Sequence, residues 1–453
     1  MKNWLSAFAV NFERRVVVVF FLGFSSGLPF LLVFSTLSTW LAREGVSKTM
    51  IGLFALVGSA YALKIFWSPL VDRLPFPPFT TLLGRRRGWL VFSQLALIVT
   101  MIGLGSTEPK TDLWWTAMWA VGLAFASATQ DIVIDAYRID LLEERQLGAG
   151  ASNVVLGYRV GLLAAGAGAL TIAELYSWFW AYAAMAALMG VGIVTVLLTP
   201  EPETRLTPEA AAREAQLTKF RERFINLSGR LQTVAAWVQS AVINPFAEFM
   251  LRPGWIAILL FAGLYKYADG LLGVMANPFY VEMGFTNVEI AAISKGWGLA
   301  MTLIGGVLGG VLVARFGMLQ ALLFCGVAQA LSNLTYVVQA LAGHDVTVLT
   351  AVIAIENLTG GMATAAFVAY LSSLCNISYT ATQYALLTSL MAFTRPFLSF
   401  GAGGMAEYLG WVEFFLVSTL AGLPGLLVLL WMMRRFPSAT PTMAGRPALA
   451  GND

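Results

Sequence analysis

Twelve long apolar stretches, separated by short polar connections, run along the chain. Each holds about 20 mostly apolar residues, the length that an α-helix needs to cross ~30 Å of hydrocarbon. The first six lie at about 16–40, 49–73, 89–107, 112–138, 150–172 and 176–198. The second six lie at about 254–280, 287–312, 318–341, 346–372, 382–406 and 411–433. The pattern predicts an all-α membrane protein with about 12 transmembrane helices.

Composition excludes a water-soluble globule. Of the 453 residues, 58% are hydrophobic and 12% are charged, whereas soluble domains hold about 25% charged residues. The net charge of +3 does not favour nucleic-acid binding. Cys325 and Cys375 both lie in apolar stretches, so we predict neither a disulfide framework nor a metal site. We also predict no cofactor.

The positions of the lysines and arginines predict the orientation of the chain in the membrane. With the amino terminus in the cytoplasm, 20 of the 28 cations fall in cytoplasmic connections. Only Arg43, Lys48 and Lys110 fall on the opposite side. Because cytoplasmic loops are enriched in Lys and Arg, both termini are predicted to be cytoplasmic. The remaining five cations lie inside predicted spans.

A polar segment divides the spans into two groups of six. Prolines and alternating charges over 199–250 predict a cytoplasmic linker, in which 231–250 is apolar enough to lie along the membrane surface. The predicted units are therefore an N-terminal half at 1–198, this linker, a C-terminal half at 251–435 and a flexible cytoplasmic tail at 436–453.

The two halves repeat each other. Arg159 is followed by Gly166-Ala-Gly168, and Arg395 by Gly401-Ala-Gly403, at an offset of about 236 residues. Two six-span halves joined by a basic linker resemble the major facilitator architecture, whose substrate site lies near the bilayer midplane between the halves.

A loop motif of that superfamily is present in two unequal copies. Asp72-Arg73 and Gly84-Arg85-Arg86-Arg87 resemble it, with 74–83 inserted between them. The second copy, Ala314-Arg315-Phe316-Gly317, lacks the acid. The resemblance implies an asymmetric gating loop formed by Asp72, Arg73, Arg85 and Arg315.

Charged residues inside the predicted spans need a partner or a water-filled cavity, because each costs at least ~2.5–3.5 kcal/mol at the bilayer centre. The cations are Lys64, Arg159, Lys266, Lys295 and Arg395. The acids, which are our candidates for proton coupling, are Asp131, Asp135, Asp269 and Glu356. Spans one, four, seven and ten line the cavity in the major facilitator fold, and three of these four helices carry an acid.

Two interpretations of these charges stay open. Asp131, Asp135 and Arg138 share one helix face, so the acids could form salt bridges to Arg138 or Arg159, or one could carry a proton. Lys266 and Asp269, three residues apart, could neutralise each other or contact substrate and protons.

The interior is slightly cationic and rich in aromatic residues. Arginine can bind a carboxylate with two hydrogen bonds, and aromatic rings can stack on sugars. We therefore predict a sizeable anionic solute. Its predicted contacts are the five cations, Gln130, Tyr61, Tyr265, Tyr267, Trp297 and Asn277.

Several longer stretches resemble the AmpG-type muropeptide permease family. In the N-terminal half they are Gly23-Phe-Ser-Ser-Gly-Leu-Pro29, Ile51-Gly-Leu-Phe-Ala-Leu-Val57, Leu63-Lys-Ile-Phe-Trp-Ser-Pro-Leu-Val-Asp-Arg73 and Ala126-Ser-Ala-Thr-Gln-Asp-Ile-Val-Ile-Asp-Ala-Tyr-Arg138. In the C-terminal half they are Tyr265-Lys-Tyr-Ala-Asp269 and Asn277-Pro-Phe279. The resemblance covers nearly the whole chain.

The resemblance implies a monomeric, proton-coupled importer in the inner membrane of a Gram-negative bacterium. It would carry N-acetylglucosaminyl-anhydro-N-acetylmuramyl peptides from periplasm to cytoplasm for peptidoglycan recycling, and could influence β-lactamase induction and so antibiotic resistance. Its partners would be the substrate, protons and membrane lipids.

Two other functions stay open. Acetyl-coenzyme-A transporter-like proteins share some of the same stretches, so another large anionic solute is the first alternative. The second is an intramembrane enzyme, since Ser127-xxx-Asp131-xxx-Asp135 resembles the metal motif of membrane prenyltransferases. No second Asp-rich motif accompanies it.

Overall fold

The computed structural model describes residues 8–47, 50–51, 54–202, 243–399 and 402–435, and the regular structure in these ranges is helical. The N-terminal α-helices are α1 (Arg14–Val33), α2 (Ser35–Arg43), α3 (Ser59–Leu63), α4 (Ser68–Arg73), α5 (Phe79–Leu83), α6 (Arg85–Gly105), α7 (Leu113–Leu141), α8 (Leu147–Leu163), α9 (Ala169–Leu175), α10 (Trp178–Leu188) and α11 (Gly190–Leu198).

The C-terminal half repeats the arrangement. Its helices are α12 (Asn244–Met250), α13 (Trp255–Leu264), α14 (Tyr267–Glu282), α15 (Asn287–Ile290), α16 (Gly298–Phe316), α17 (Met318–Ala342), α18 (Val346–Ser373), α19 (Thr380–Ser399), α20 (Ala402–Leu409), α21 (Trp411–Leu420) and α22 (Leu423–Arg435).

Ten helices in the described part of the chain are long and apolar enough to cross a membrane. They correspond to ten of the twelve predicted spans. The eleventh predicted span contains α19 and α20, where Thr, Ser, Gln and Arg lower the hydropathy. The second contains a shorter apolar helix, Leu56–Phe66, and then α4. A proline in the first turn of α4, Pro69, lacks the N–H that would continue the preceding helix.

Glycines let neighbouring helices of each half approach closely. A Cβ on Gly157 would overlap the backbone of Phe20 in α1, and a Cβ on Gly305 would overlap the backbone of Leu358 in α18. Small residues at such contacts are typical of membrane helix packing. The glycines of α8 and α16 therefore serve mainly to pack α1 on α8 and α16 on α18.

Departures from α-helical geometry coincide with the intramembrane lysines. Lys64 begins a 3₁₀ turn, Lys64–Phe66, and Lys266 lies at the break between α13 and α14. Lys295 lies in a π-helical segment, Ala291–Trp297. Interrupted helices near the midplane are typical of binding sites in transporters.

The structure describes one end of the predicted linker, where α12 lies. In α12, Glu248 and Phe249 are buried, and Pro245 accepts a hydrogen bond from Gln383 of α19 through its carbonyl. This helix therefore packs against the bundle, because its polar groups find partners there. The rest of the predicted linker, at 203–242, and the predicted tail, at 436–453, lie outside the described residues.

Candidate functional site

A cavity of about 470 Å³ lies between the two halves. Leu31 of α1 and Arg159 of α8 line it from the N-terminal half, and α14, α16, α17 and α18 line it from the other half. Its polar lining includes Arg159, Tyr280, Ser294, Thr302, Tyr336, Glu356 and Asn357. Its volume lies in the range of ligand pockets.

Opposite charges from the two halves face this cavity. Arg159 is exposed to it. Glu356 accepts a hydrogen bond from Asn357 Nδ2 at 2.6 Å, and Asn357 Oδ1 accepts one from Thr302 Oγ1 at 2.9 Å. This chain of hydrogen bonds fixes the orientation of the Glu356 carboxylate.

The ion pair that the spacing of Lys266 and Asp269 allows is present. Lys266 Nζ lies 2.6 Å from Asp269 Oδ2, and each side chain keeps about a quarter of its surface exposed. The pair lines a small separate pocket beside Gln329, and it lies within electrostatic range of Glu356. Three of the predicted charges are therefore close together in the C-terminal half.

Asp131 lies in a corresponding polar cluster of the N-terminal half. Its Oδ1 accepts a hydrogen bond from Ser26 Oγ of α1 at 2.5 Å. Lys64 and Tyr158, the neighbour of Arg159, lie within electrostatic range of its carboxylate. Tyr61 donates a hydrogen bond to Ser127 Oγ at 2.9 Å, one turn before Asp131. The Asp131 carboxylate therefore lies in a polar cluster with Ser26, Lys64 and Tyr158.

Asp135 forms the salt bridge to Arg138 that the sequence analysis gave as one interpretation of this acid. Its Oδ1 lies 3.4 Å from Arg138 Nη2. Arg138 is fully buried, donates to Ser372 Oγ of the other half at 3.0 Å and lies over the Tyr384 ring. Asp131 and Asp135 therefore differ, since of these two acids Asp135 pairs with Arg138.

Two predicted substrate contacts are buried in packing. Gln130 has no exposed surface and donates through Nε2 to the Ser25 carbonyl at 3.0 Å. Tyr265 donates to the Leu322 carbonyl and stacks on Phe367. Both side chains bind neighbouring parts of the protein in this conformation, and their contact with a solute stays a prediction.

Five further predicted substrate contacts remain, and the structure describes the side chains of two of them. Tyr267 is half-buried against the core, and 44% of the surface of Trp297 is exposed. The side chains of Lys295, Arg395 and Asn277 lie outside the described part of the structure.

The two halves are joined at one end of the bundle, which we call the basic end because Arg14, Arg15, Arg87 and Arg145 lie there. Asp72, at the end of the second span, accepts hydrogen bonds from the Thr382 N–H at 2.8 Å and Thr382 Oγ1 at 2.7 Å. These bonds hold the start of α19 against α4.

A buried arginine extends this contact. Arg86 Nη1 lies 2.9 Å from Asp72 Oδ1, and its Nε lies 2.9 Å from Asp140 Oδ2. Asp140 in turn accepts a hydrogen bond from Thr380 Oγ1 at 2.7 Å. All three charged groups are nearly inaccessible to solvent. The carboxylates of Asp72 and Asp140 thus share the Arg86 guanidinium, and each also accepts a hydrogen bond from α19. These contacts close the basic end.

The remaining predicted gating residues surround this network. Arg85 donates to the Asp72 carbonyl at 3.0 Å. Arg73 lies 5.0 Å from the centre of the Tyr379 ring, a cation–π contact between the halves. Arg315 lies over the adjacent Phe316 ring. The asymmetry of the gating loop stays a prediction.

Sequence reasoning missed a second polar contact that occurs once in each half. Gln146 Nε2 donates to Glu13 Oε2, and Gln383 Nε2 donates to Glu248 Oε2. The amide oxygen of each glutamine also accepts a backbone N–H, from Glu143 and Asn376 respectively. The glutamates are 235 residues apart and the glutamines 237. Extending the offset of about 236 to polar residues outside the spans would have found them.

Replacing Gln383 by Ala is expected to weaken the closure of the basic end indirectly. Gln383 follows Thr382 and fixes the start of α19 to α12, so its loss removes one donor from buried Glu248 and leaves the buried Asn376 N–H without its acceptor. The expected cost is about 1–3 kcal/mol of stability. Thermal unfolding of the purified protein measures this, with Gln146→Ala as the matched control, because its partner Glu13 is 31% exposed whereas Glu248 is fully buried. Equal melting temperatures for the wild type and Gln383→Ala would contradict the assignment.

Comparison with known proteins identifies the chain's relatives. The Major Facilitator Superfamily profile matches residues 19–395. An anhydromuropeptide permease of Escherichia coli strain K12 is 39% identical over 420 residues, which cover 92% of this chain and 79% of that protein. Putative transporter AmpG 4 of Rickettsia felis is 34% identical over 425 residues, covering 93% and 97%.

Solved structures show the same fold. The proton:xylose symporter XylE bound to 6-bromo-6-deoxy-D-glucose has a TM-score of 0.60 at 13% identity, covering 96% of this chain and 97% of that one. The E. coli fucose:proton symporter FucP has a TM-score of 0.65 at 12% identity, covering 95% and 99%. The expected fold is confirmed, and the prenyltransferase-like alternative is set aside. The chain belongs to the Major Facilitator Superfamily of secondary transporters and, within it, to the family of AmpG-type permeases.

Proposed function

We propose that this protein imports anhydromuropeptides, consisting of N-acetylglucosaminyl-anhydro-N-acetylmuramyl groups with a peptide, together with protons. The observation that carries the proposal is the cavity between the halves, which Arg159 lines from the N-terminal half and Glu356 from the other half. A peptide carboxylate suits the guanidinium of Arg159, which can bind it with two hydrogen bonds. The similarity to the E. coli anhydromuropeptide permease supports this solute.

Each charged cluster has a proposed role. Arg159 binds the peptide carboxylate, with Lys64, Lys266, Lys295 and Arg395 supplying further positive charge near the path. Asp131 carries the coupling proton in the N-terminal half, and Glu356 with Asp269 responds to it in the C-terminal half. Asp72, Arg73, Arg85 and Arg315 belong to the gate at the basic end.

The arginines and lysines of the connections support the proposed orientation. With both termini cytoplasmic, the basic end faces the cytoplasm and is closed in this structure. The cavity then receives its solute from the periplasmic side of a Gram-negative inner membrane, and the product enters peptidoglycan recycling. The proposed units remain two six-span halves, a cytoplasmic linker and a tail.

The experiment that tests the solute is uptake into proteoliposomes. Purified protein is supplied with a labelled anhydromuropeptide, and unlabelled anhydromuropeptide, acetyl-coenzyme A or the disaccharide without its peptide is added as competitor. The unlabelled muropeptide should compete best and the disaccharide weakly, because it lacks the peptide carboxylates. Stronger competition by acetyl-coenzyme A would favour that alternative solute instead.

Replacing Arg159 by Lys is expected to weaken uptake while keeping the positive charge. Lysine cannot form two parallel hydrogen bonds with a carboxylate, and the loss of one charge-assisted bond costs about 1.5 kcal/mol, or about tenfold in KM. Uptake kinetics in proteoliposomes measure the change. Unaltered KM for the muropeptide would remove Arg159 from the proposed binding site.

A further inference from the structure

A second cavity, of about 490 Å³, lies on the wall of the bundle between α1 and α11. It is separate from the cavity between the halves, since the two share no lining residue. Its lining is apolar or hydroxylic except at one position, Arg14. The lining residues are Arg14, Val18, Phe21, Gly190, Val191, Val194, Thr195, Leu198 and Thr199.

Two glycines with different surroundings create this groove. A Cβ on Gly192 would overlap Ser25 Oγ, so the absence of a side chain lets α11 approach α1. A Cβ on Gly190 would meet no atom within 4 Å, so open space remains there. The segment Gly190-Val191-Gly192 therefore brings the helices together and leaves a gap beside their contact.

The groove has the length of an acyl chain in one leaflet. From Gly190 to Leu198, α11 rises about 12 Å at ~1.5 Å per residue. One leaflet contributes about half of the ~30 Å hydrocarbon core. Phe21 and Val194 are exposed along the groove, at 40% and 56% of their surface. Apolar surface of this kind on a membrane-spanning helix is compatible with a lipid chain.

Positive charge lies at the end of the groove nearest the basic end. Arg14 Nη2 donates to the Leu198 carbonyl at 3.4 Å, and Arg87 Nη2 donates to the Leu197 carbonyl at 3.1 Å. Within the described residues, neither side chain has a carboxylate partner, whereas Arg15 pairs with Glu143. A guanidinium has five N–H donors and suits phosphate, so Arg14 keeps donors for an anionic group.

We propose that this groove binds an anionic phospholipid. One acyl chain lies against Val18, Phe21, Val191 and Val194, and the phosphate accepts hydrogen bonds from Arg14. The lipid covers the contact between α1 and α11. Because the groove lies apart from Arg159 and Glu356, this assignment does not depend on the transported solute.

Native mass spectrometry of the full chain in detergent tests the proposal, with phosphatidylglycerol compared against phosphatidylcholine of the same acyl chains. The wild type should retain one phosphatidylglycerol in preference. Arg14→Gln removes the phosphate contact, and Gly190→Phe fills the groove at a position with open space. Arg14→Gln should lower phosphatidylglycerol affinity on the order of tenfold, the loss expected for one charge-assisted contact. Gly190→Phe should lower it because the ring occupies the space of the acyl chain.

Arg43→Gln is the control, because Arg43 forms an exposed ion pair with Glu174 at the opposite end. It should bind phosphatidylglycerol like the wild type. Val194→Trp provides a second groove-filling variant if Gly190→Phe fails to fold. Equal retention of both lipids by the wild type would overturn the proposal. So would unchanged phosphatidylglycerol binding by Arg14→Gln, or by folded variants that fill the groove.

Discussion

Replacing Asp72 by Asn is expected to open the basic end of the transporter and to reduce uptake strongly. The Asp72 carboxylate accepts hydrogen bonds from Thr382 and faces Arg86. Asn removes the charge and turns an NH₂ group toward one of these donors. Removing one partner of a buried ion pair costs about 3–5 kcal/mol, and a cost of about 3 kcal/mol shifts the ratio of closed to open states by about 100-fold.

Spin labels at Thr81 and Gln320, exposed positions on the two halves near the basic end, measure this opening. Electron-spin distance measurements should show longer separations in Asp72→Asn than in the wild type. Glu174→Gln is the control, since it breaks an exposed ion pair at the other end that contributes little. A wild-type distance distribution together with wild-type uptake in Asp72→Asn would contradict the assignment of the gate.

Replacing Asp131 by Asn is expected to separate solute movement from proton movement. Asn keeps a hydrogen bond to Ser26 but cannot carry a proton at neutral pH. The variant should still exchange labelled for unlabelled solute across the membrane, and it should lose accumulation driven by a pH gradient. Counterflow and gradient-driven uptake in the same proteoliposomes measure the two activities.

Asp135→Asn is the matched control, four residues away on the same helix. Asp135 pairs with Arg138, which also binds Ser372, so its loss should slow transport without abolishing coupling. Retained gradient-driven accumulation in Asp131→Asn would transfer the proton role to Glu356 or Asp269. Loss of coupling in Asp135→Asn alone would reverse the roles given to the two acids.

The helices could be predicted from the sequence because each membrane span is a local property. About 20 apolar residues determine a span, and the bounds of the ten predicted spans that match a membrane-length helix differ from those of the structure by at most six residues. The Lys266–Asp269 pair was likewise accessible, since three residues on one helix bring the side chains together. Arg159 and Glu356 could be identified as candidates because a charged residue inside an apolar span needs a partner or a water-filled cavity.

Contacts between distant segments could not be predicted in this way. Asp72 and Thr382 are 310 residues apart, and their hydrogen bonds depend on how the halves meet. Gln130 and Tyr265 have the residue types of binding side chains, yet the structure buries them, because a polar atom in a membrane helix can equally bind a neighbouring backbone. The groove at Gly190 could not be predicted either, because it arises where Gly192 contacts α1 and Gly190 of the same helix has open space beside it.

The most direct test of the proposed function is the coupling of protons to solute. Proteoliposomes with an acidic exterior and a neutral interior receive labelled anhydromuropeptide, and internal solute and external pH are followed together. The account predicts accumulation above the external concentration, alkalinisation outside as protons enter with the solute, and loss of both effects when a protonophore is added. The same final solute level with and without the gradient, and no change in external pH, would contradict it.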